Sequence, residues 1–206
     1  NWIKPIGCIP VTGTFTLHAR GNVLWSAVRS LRYDFKRRGW TNALRLPNPG
    51  VKEGLNRQIR GEVLSIAEVN KGDFRKLVEI IPEGTNIELN LSCPNLGTAL
   101  PWDNARVFTQ KVSRKWCIAK LSPLTTPEQL EFLIDDLGFT QLHFSNTLPL
   151  GDGRGGLSGV TLRPYTLELI RLVRENWGSD IEIIAGGGVN DFGAVYEYLN
   201  EGANHV

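Results

Sequence analysis

Cys93 stands in the run Asn90-Leu91-Ser92-Cys93-Pro94-Asn95, a thiol just past an apolar stretch with a carboxamide on either side. A free thiol ionises at a pKa of about 8.5, so surroundings that favour thiolate would let it act as a general base near neutral pH. Pro94 restricts the residue before it, which helps to hold the sulfur in place. A buried structural thiol is the plainer role for cysteine, and it suits Cys8 and Cys117, both within strand-like runs. Asn90 ends an otherwise apolar segment, where a carboxamide needs a hydrogen-bond partner. Lys120 ends another, Trp116-Cys117-Ile118-Ala119-Lys120, where an interior ammonium is costly unless paired. Gly186-Gly187-Gly188 follows a third, and glycine lets backbone N–H groups approach a phosphate closely.

These residues need a frame that brings strand ends together. Short β-branched or apolar runs at 7–11, 62–66, 86–91, 116–121, 141–144 and 181–185, with a nascent one at 204–206, alternate with helical patterns. Alternation of this kind predicts βα units and a parallel sheet. The 73–80 segment carries Phe74, Leu77, Val78 and Ile81 at helical spacing. Thr126 before Pro127 is a helix start, the stripe Leu130, Leu133, Ile134 and Leu137 continues it, and Gly138 stops it. Residues 164–173 and 192–199 read as further helices. Polar or glycine-rich residues follow nearly every strand, and a (β/α)₈ barrel gathers such positions at one face. A doubly wound sheet would collect ligands around one switch point only. The expected fold is therefore α/β, an incomplete (β/α)₈ TIM barrel, with residues 1–206 forming one domain.

A barrel of this kind typically needs about 250 residues, more than the 206 present. With no methionine anywhere, a start at Asn1-Trp2 and a stop at a nascent strand, the chain reads as a piece lacking about one βα unit in front and a closing helix behind. A net charge of +2 with scattered Lys and Arg gives no ground for a nucleic-acid partner. Lys36-Arg37-Arg38 reads as a solvated helix end. No apolar run approaches the ~20 residues of a membrane span. Three cysteines without metal-like spacing favour free thiols, a reducing compartment and no metal.

The 90–95 run resembles the signature loop of the dihydroorotate dehydrogenases, especially the soluble class with Cys where the membrane-associated class has Ser. Asn42-Ala43-Leu44-Arg45-Leu46-Pro47-Asn48-Pro49-Gly50 is similar to the family's substrate loop. Ala119-Lys120-Leu121-Ser122-Pro123, Ser145-Asn146-Thr147, Gly155-Gly156-Leu157-Ser158-Gly159 and Ile184-Ala185-Gly186-Gly187-Gly188-Val189 follow in family order. The resemblance covers nearly the whole chain, from the family's second strand to its eighth.

The resemblance implies FMN-dependent oxidation of dihydroorotate to orotate in pyrimidine biosynthesis, with Cys93 as base. Dihydroorotate loses a proton from one ring carbon and a hydride from its neighbour. Orotate presents amide-like edges that Asn side chains can match pairwise, and the resemblance places Asn42, Asn90, Asn95 and Asn146 around the ring, with Thr147 beside the last. It assigns Lys120, Thr14, Ser65, Ser145, Gly155, Gly156, Gly187 and Gly188 to FMN, the last two in a phosphate loop. It further implies a cytoplasmic enzyme whose acceptor is fumarate, NAD through an iron–sulfur flavoprotein partner subunit, or quinone, and it leaves a homodimer open.

The match departs at Arg45, where the family often has Gly: a guanidinium there could bind the substrate carboxylate or point to solvent. Two further readings stand beside the first. One is another FMN barrel acting on a pyrimidine, like that of dihydropyrimidine dehydrogenase, whose loop usually has His where Asn95 stands. The other is a non-catalytic relative that keeps the barrel as a binding module.

Overall fold

The computed structural model describes residues 7–59, 61–91, 102–110, 114–151 and 155–206. Its frame is a parallel sheet of β1 (Val11–Phe15), β4 (Val63–Ile66), β5 (Ile87–Asn90), β6 (Cys117–Leu121), β7 (Gln141–Phe144) and β10 (Glu182–Ala185), paired in that order. Among the described residues it remains open between β1 and β10. Beyond β10, His205 bridges in parallel to Ile184, where the nascent strand is expected.

Alternation along the strands sorts side chains to two faces. Leu64, Leu89, Ala119, Leu142 and Ile183 point outward into the main core, against Leu77, Leu133, Ile170 and other residues of the covering helices. Burying each large aliphatic side chain contributes about 1.5–3 kcal/mol. The inward face begins with the apolar cluster Val63, Trp116, Ile118 and Ile184, then turns polar toward the carboxyl ends of the strands.

The helices Asp73–Ile80, Pro127–Glu131, Arg163–Trp177 and Phe192–Glu201 lie where the periodicity puts them. The Thr126 side chain accepts from the Gln129 amide and the Gln129 side chain answers to the Thr126 amide, a complete capping box. This satisfies two otherwise orphaned donors. The helix continues as a π-helical turn, Phe132–Asp136, and stops at Gly138, whose φ of +77° favours glycine.

The structure corrects three expectations. The first strand begins at Val11 rather than residue 7: Pro10 has no N–H to pair, and its carbonyl accepts from Val63 at the strand's start. Cys8 therefore precedes the strand and is exposed. Lys36-Arg37-Arg38 is a hairpin turn, with Asp34 accepting from the Arg37 amide at 3.0 Å and pairing with its guanidinium at 2.8 Å. That turn belongs to a second, antiparallel sheet: β2 (Arg32–Asp34), β3 (Gly39–Asn42), β9 (Gly156–Gly159) and β8 (Leu148–Pro149). It joins the segment after β1 to the segment after β7.

Candidate active site

The polar end of the sheet is one hydrogen-bonded chain. Asn146, just past β7, donates to the Asn90 carboxamide oxygen at 2.9 Å, and Asn90 donates to the Thr14 hydroxyl at 3.1 Å. Thr14 and Ser65 hydroxyls are 3.0 Å apart, and Ser65 donates to Glu88 at 2.8 Å. The other Glu88 oxygen lies 2.6 Å from His143 Nδ1, and Lys120 Nζ lies 3.8 Å from the first. Five strands thus contribute to a single network. Asn90, Lys120 and His143 are successive cross-strand partners, so they stand at one level.

Asn90 finds the partner its burial demands, and Lys120 finds its carboxylate. Glu88 is 1% exposed. Burial pushes its carboxyl up, but the His143 hydrogen bond, the Lys120 charge and the Ser65 hydroxyl outweigh this and hold it below its ordinary value. Glu88 and His143 were absent from the expected set. The signal was available, since an ionisable residue inside a short buried strand is what singled out Lys120.

Asn146 also accepts from the Thr147 amide at 2.9 Å, fixing its rotamer. Ser145, buried, shares a 3.0 Å hydrogen bond with Thr166, which donates to the Gly186 carbonyl. The Gly186-Gly187-Gly188 turn is tied back by Tyr198, which donates to the Gly187 carbonyl, and by Arg163, which donates to the Gly188 carbonyl. A trans peptide points its N–H opposite to its carbonyl, so the amides of Gly188 and Val189 face away from those anchors. Gly187 and Gly188 have φ of +84° and +71°, and a Cβ on Gly187 would come within 3.1 Å of the Ser145 hydroxyl. Glycine is required there.

Asn42 is brought to a different neighbour. It ends β3, pairs with Gly156, and a Cβ on Gly155 would collide with its carbonyl oxygen. Gly155 and Gly156 are thus placed against Asn42 by backbone packing. Asn48, from Leu46-Pro47-Asn48, accepts from the Thr16 and Gly50 amides and donates to the Leu46 carbonyl, pinning the loop after β3 to the end of β1. Arg45 is exposed, and with Leu46 it adopts left-handed φ, +58° and +54°.

Cys93 and Asn95 lie outside the described residues. The described residues on either side are joined: Leu91 donates to the Lys120 carbonyl, and the Trp102 indole donates to the Leu91 carbonyl at 3.1 Å. Asn104 donates to buried Glu68. Cys117 behaves as the inert thiol expected, with burial pushing its pKa up to about 11. Thr12, two residues before Thr14 on β1, has a buried hydroxyl oxygen with no partner among the described residues. No group of metal-ligating residues occurs among them either.

This donor set fits a flavin: a cation, a row of hydroxyls and a glycine turn whose amides face away from its anchors. A family model described as dihydroorotate dehydrogenase matches residues 32–206. The chain belongs to the dihydroorotate dehydrogenase family. It is similar to the dihydroorotate dehydrogenase B (NAD(+)) catalytic subunit of Endomicrobium trichonymphae, 29% identical over 99% of this chain and 74% of that protein. It is also similar to the protein of the same name from Staphylococcus carnosus, 32% identical over 82% of this chain and 64% of its relative. The chain thus spans about two thirds to three quarters of the length of these relatives. The fold matches the ligand-free dihydroorotate dehydrogenase of Eimeria tenella with a TM-score of 0.72 at 19% identity, covering 94% of this chain and 69% of that one. That likeness shows the TIM-barrel fold of the family.

Proposed function

We propose that the protein oxidises dihydroorotate to orotate in pyrimidine biosynthesis, with Cys93 as general base and FMN as cofactor. The observation that carries this is the unbroken chain Asn146–Asn90–Thr14–Ser65–Glu88, which joins substrate-type carboxamides to the hydroxyls and Lys120 assigned to the cofactor. Asn90 and Asn146, with Asn42, Asn95 and Thr147, present paired donors and acceptors to the planar ring. Cys93, as thiolate, removes the ring proton. FMN, when bound, supplies the acceptor for the hydride. Lys120, with Thr14, Ser65, Ser145, Gly155 and Gly156, orients that cofactor, while the Gly187-Gly188 turn, through the Gly188 and Val189 amides, receives its phosphate.

The relatives are named as NAD(+)-type catalytic subunits. We extend that to this chain as an enzyme passing electrons to NAD through a second subunit. No described helix is long and apolar enough to cross a membrane, and a cytoplasmic site suits the pathway. The test is product formation: with dihydroorotate and an electron acceptor, the purified protein should generate orotate, and Cys93→Ala should lose about 10²–10⁴-fold in rate. Reduction of dihydrouracil's partner pyrimidine in preference would favour the other FMN-barrel chemistry and overturn this one.

A further inference from the structure

The buried carboxylate of Glu88 has no place in the chemistry assigned above, yet side chains from three other strands converge on it. Its first oxygen takes the Ser65 hydroxyl from β4 and faces Lys120 from β6 at 3.8 Å; its second takes His143 from β7 at 2.6 Å. From β10 the cross-strand partner of His143 is Ile184, which is apolar. The nearest other acid on that strand, Glu182, is engaged with Gln141 and His205 one pleat lower. Glu88 is therefore the anion facing Lys120 and His143 among the described residues. An unpaired charge at this depth would cost several kcal/mol, so Lys120 and His143 hold Glu88 ionised while Glu88 holds them in place. The other imidazole nitrogen, Nε2, lies beside Gly186, at the start of the glycine turn.

We propose that Glu88 is a positioning residue that, with His143, fixes Lys120 and sets the net charge beside the flavin. The inference rests on the FMN reading given above. Lys120 alone would present a full positive charge to the cofactor and strongly favour its anionic reduced form. The carboxylate, paired across three strands, cancels that charge in part and holds the ammonium at the level of Asn90. His143 moderates the carboxylate in turn. The network thus sets how readily the bound cofactor takes and gives up electrons, a property that a purely structural ion pair would not control.

The experiment measures FMN affinity by fluorescence quenching, and the oxidised-to-reduced ratio of bound FMN against a reference dye, for the purified protein, Glu88→Gln and His143→Leu. Glu88→Gln removes the carboxylate charge and should shift the ratio about tenfold toward the reduced form at fixed ambient potential, about 30 mV for a two-electron couple. His143→Leu leaves the carboxylate less compensated and should shift it about threefold the other way. If Glu88→Gln does not fold by circular dichroism, the His143→Leu result decides. Ratios unchanged within about twofold in folded, FMN-loaded variants would overturn this inference while leaving the FMN reading intact. Failure of the unsubstituted protein to take up FMN would overturn both.

Discussion

The carboxamide of Asn146 donates to that of Asn90 at 2.9 Å, joining the ends of β7 and β5 over the intervening β6. Each Asn fixes the other's amide orientation, because Asn90 must present its oxygen to Asn146 and its NH₂ to Thr14. Asn146→Ala leaves the buried Asn90 oxygen without that donor. We predict a loss of about 1–3 kcal/mol in unfolding free energy and about 100-fold in kcat/KM for dihydroorotate, read by denaturant titration and by initial rates. Retention of wild-type kcat/KM would remove Asn146 from the substrate site.

Trp102 donates to the Leu91 carbonyl at 3.1 Å, joining the residues on either side of the segment that carries Cys93. Trp102→Phe keeps most of the packing and deletes the donor. The unfolding free energy should fall by about 1 kcal/mol, whereas kcat should fall by about tenfold because a base held loosely reacts poorly. A stability loss with unchanged kcat would mean that this tie does not position the base.

Arg45 and Leu46 hold left-handed backbone consecutively, at φ +58° and +54°. For residues with a Cβ, that conformation costs roughly 1–2 kcal/mol each. Arg45→Gly should therefore raise stability by about 0.5–1 kcal/mol after the entropy of the more flexible unfolded chain is counted. Because the Arg45 side chain is exposed, KM for dihydroorotate should stay within about twofold. A large rise in KM would instead give this guanidinium the substrate carboxylate.

Cys117 and Cys8 should separate cleanly by reactivity. Burial pushes the Cys117 thiol up to about 11, while Cys8 is exposed. The thiolate is the reactive form, so at pH near 8 a maleimide followed by peptide mass spectrometry should label Cys8 rapidly and Cys117 only on unfolding. Because the folded pKa is raised, the buried thiol supports the fold below its unfolded value of about 8.5 and ceases to do so as pH climbs toward 11. Stability should decline over that alkaline window, and Cys117→Ala should flatten the decline.

Most of the parallel strands were legible because they are short apolar or β-branched runs followed by polar or glycine-rich residues, as at Gln141–Phe144 before Ser145, where expectation and structure coincide. The antiparallel sheet was not. Arg32–Asp34 and the basic turn after it are solvent-facing, and the pairing of Gly39–Asn42 with Gly156–Gly159 is a contact over more than a hundred residues that no local pattern announces. Of the expected site, Thr14, Ser65, Asn90, Lys120 and Asn146 converge as the strand-end argument requires. Asn42, expected in a substrate loop, instead ends β3, and its neighbours, Gly155 and Gly156, depend on that unannounced sheet. Glu88 was passed over because it lies between Ile87 and Leu89, where the apolar pattern masks it, although it shares a face with Asn90.

The central claim is that Cys93 and a bound flavin act together on dihydroorotate. It is tested most directly by mixing FMN-loaded protein anaerobically with dihydroorotate and following the visible flavin absorbance. The account predicts bleaching with dihydroorotate, none with dihydrouracil, and an FMN-loaded Cys93→Ala variant that stays yellow. Equal bleaching of the wild type and Cys93→Ala would contradict the base assignment, and bleaching by dihydrouracil alone would contradict the substrate.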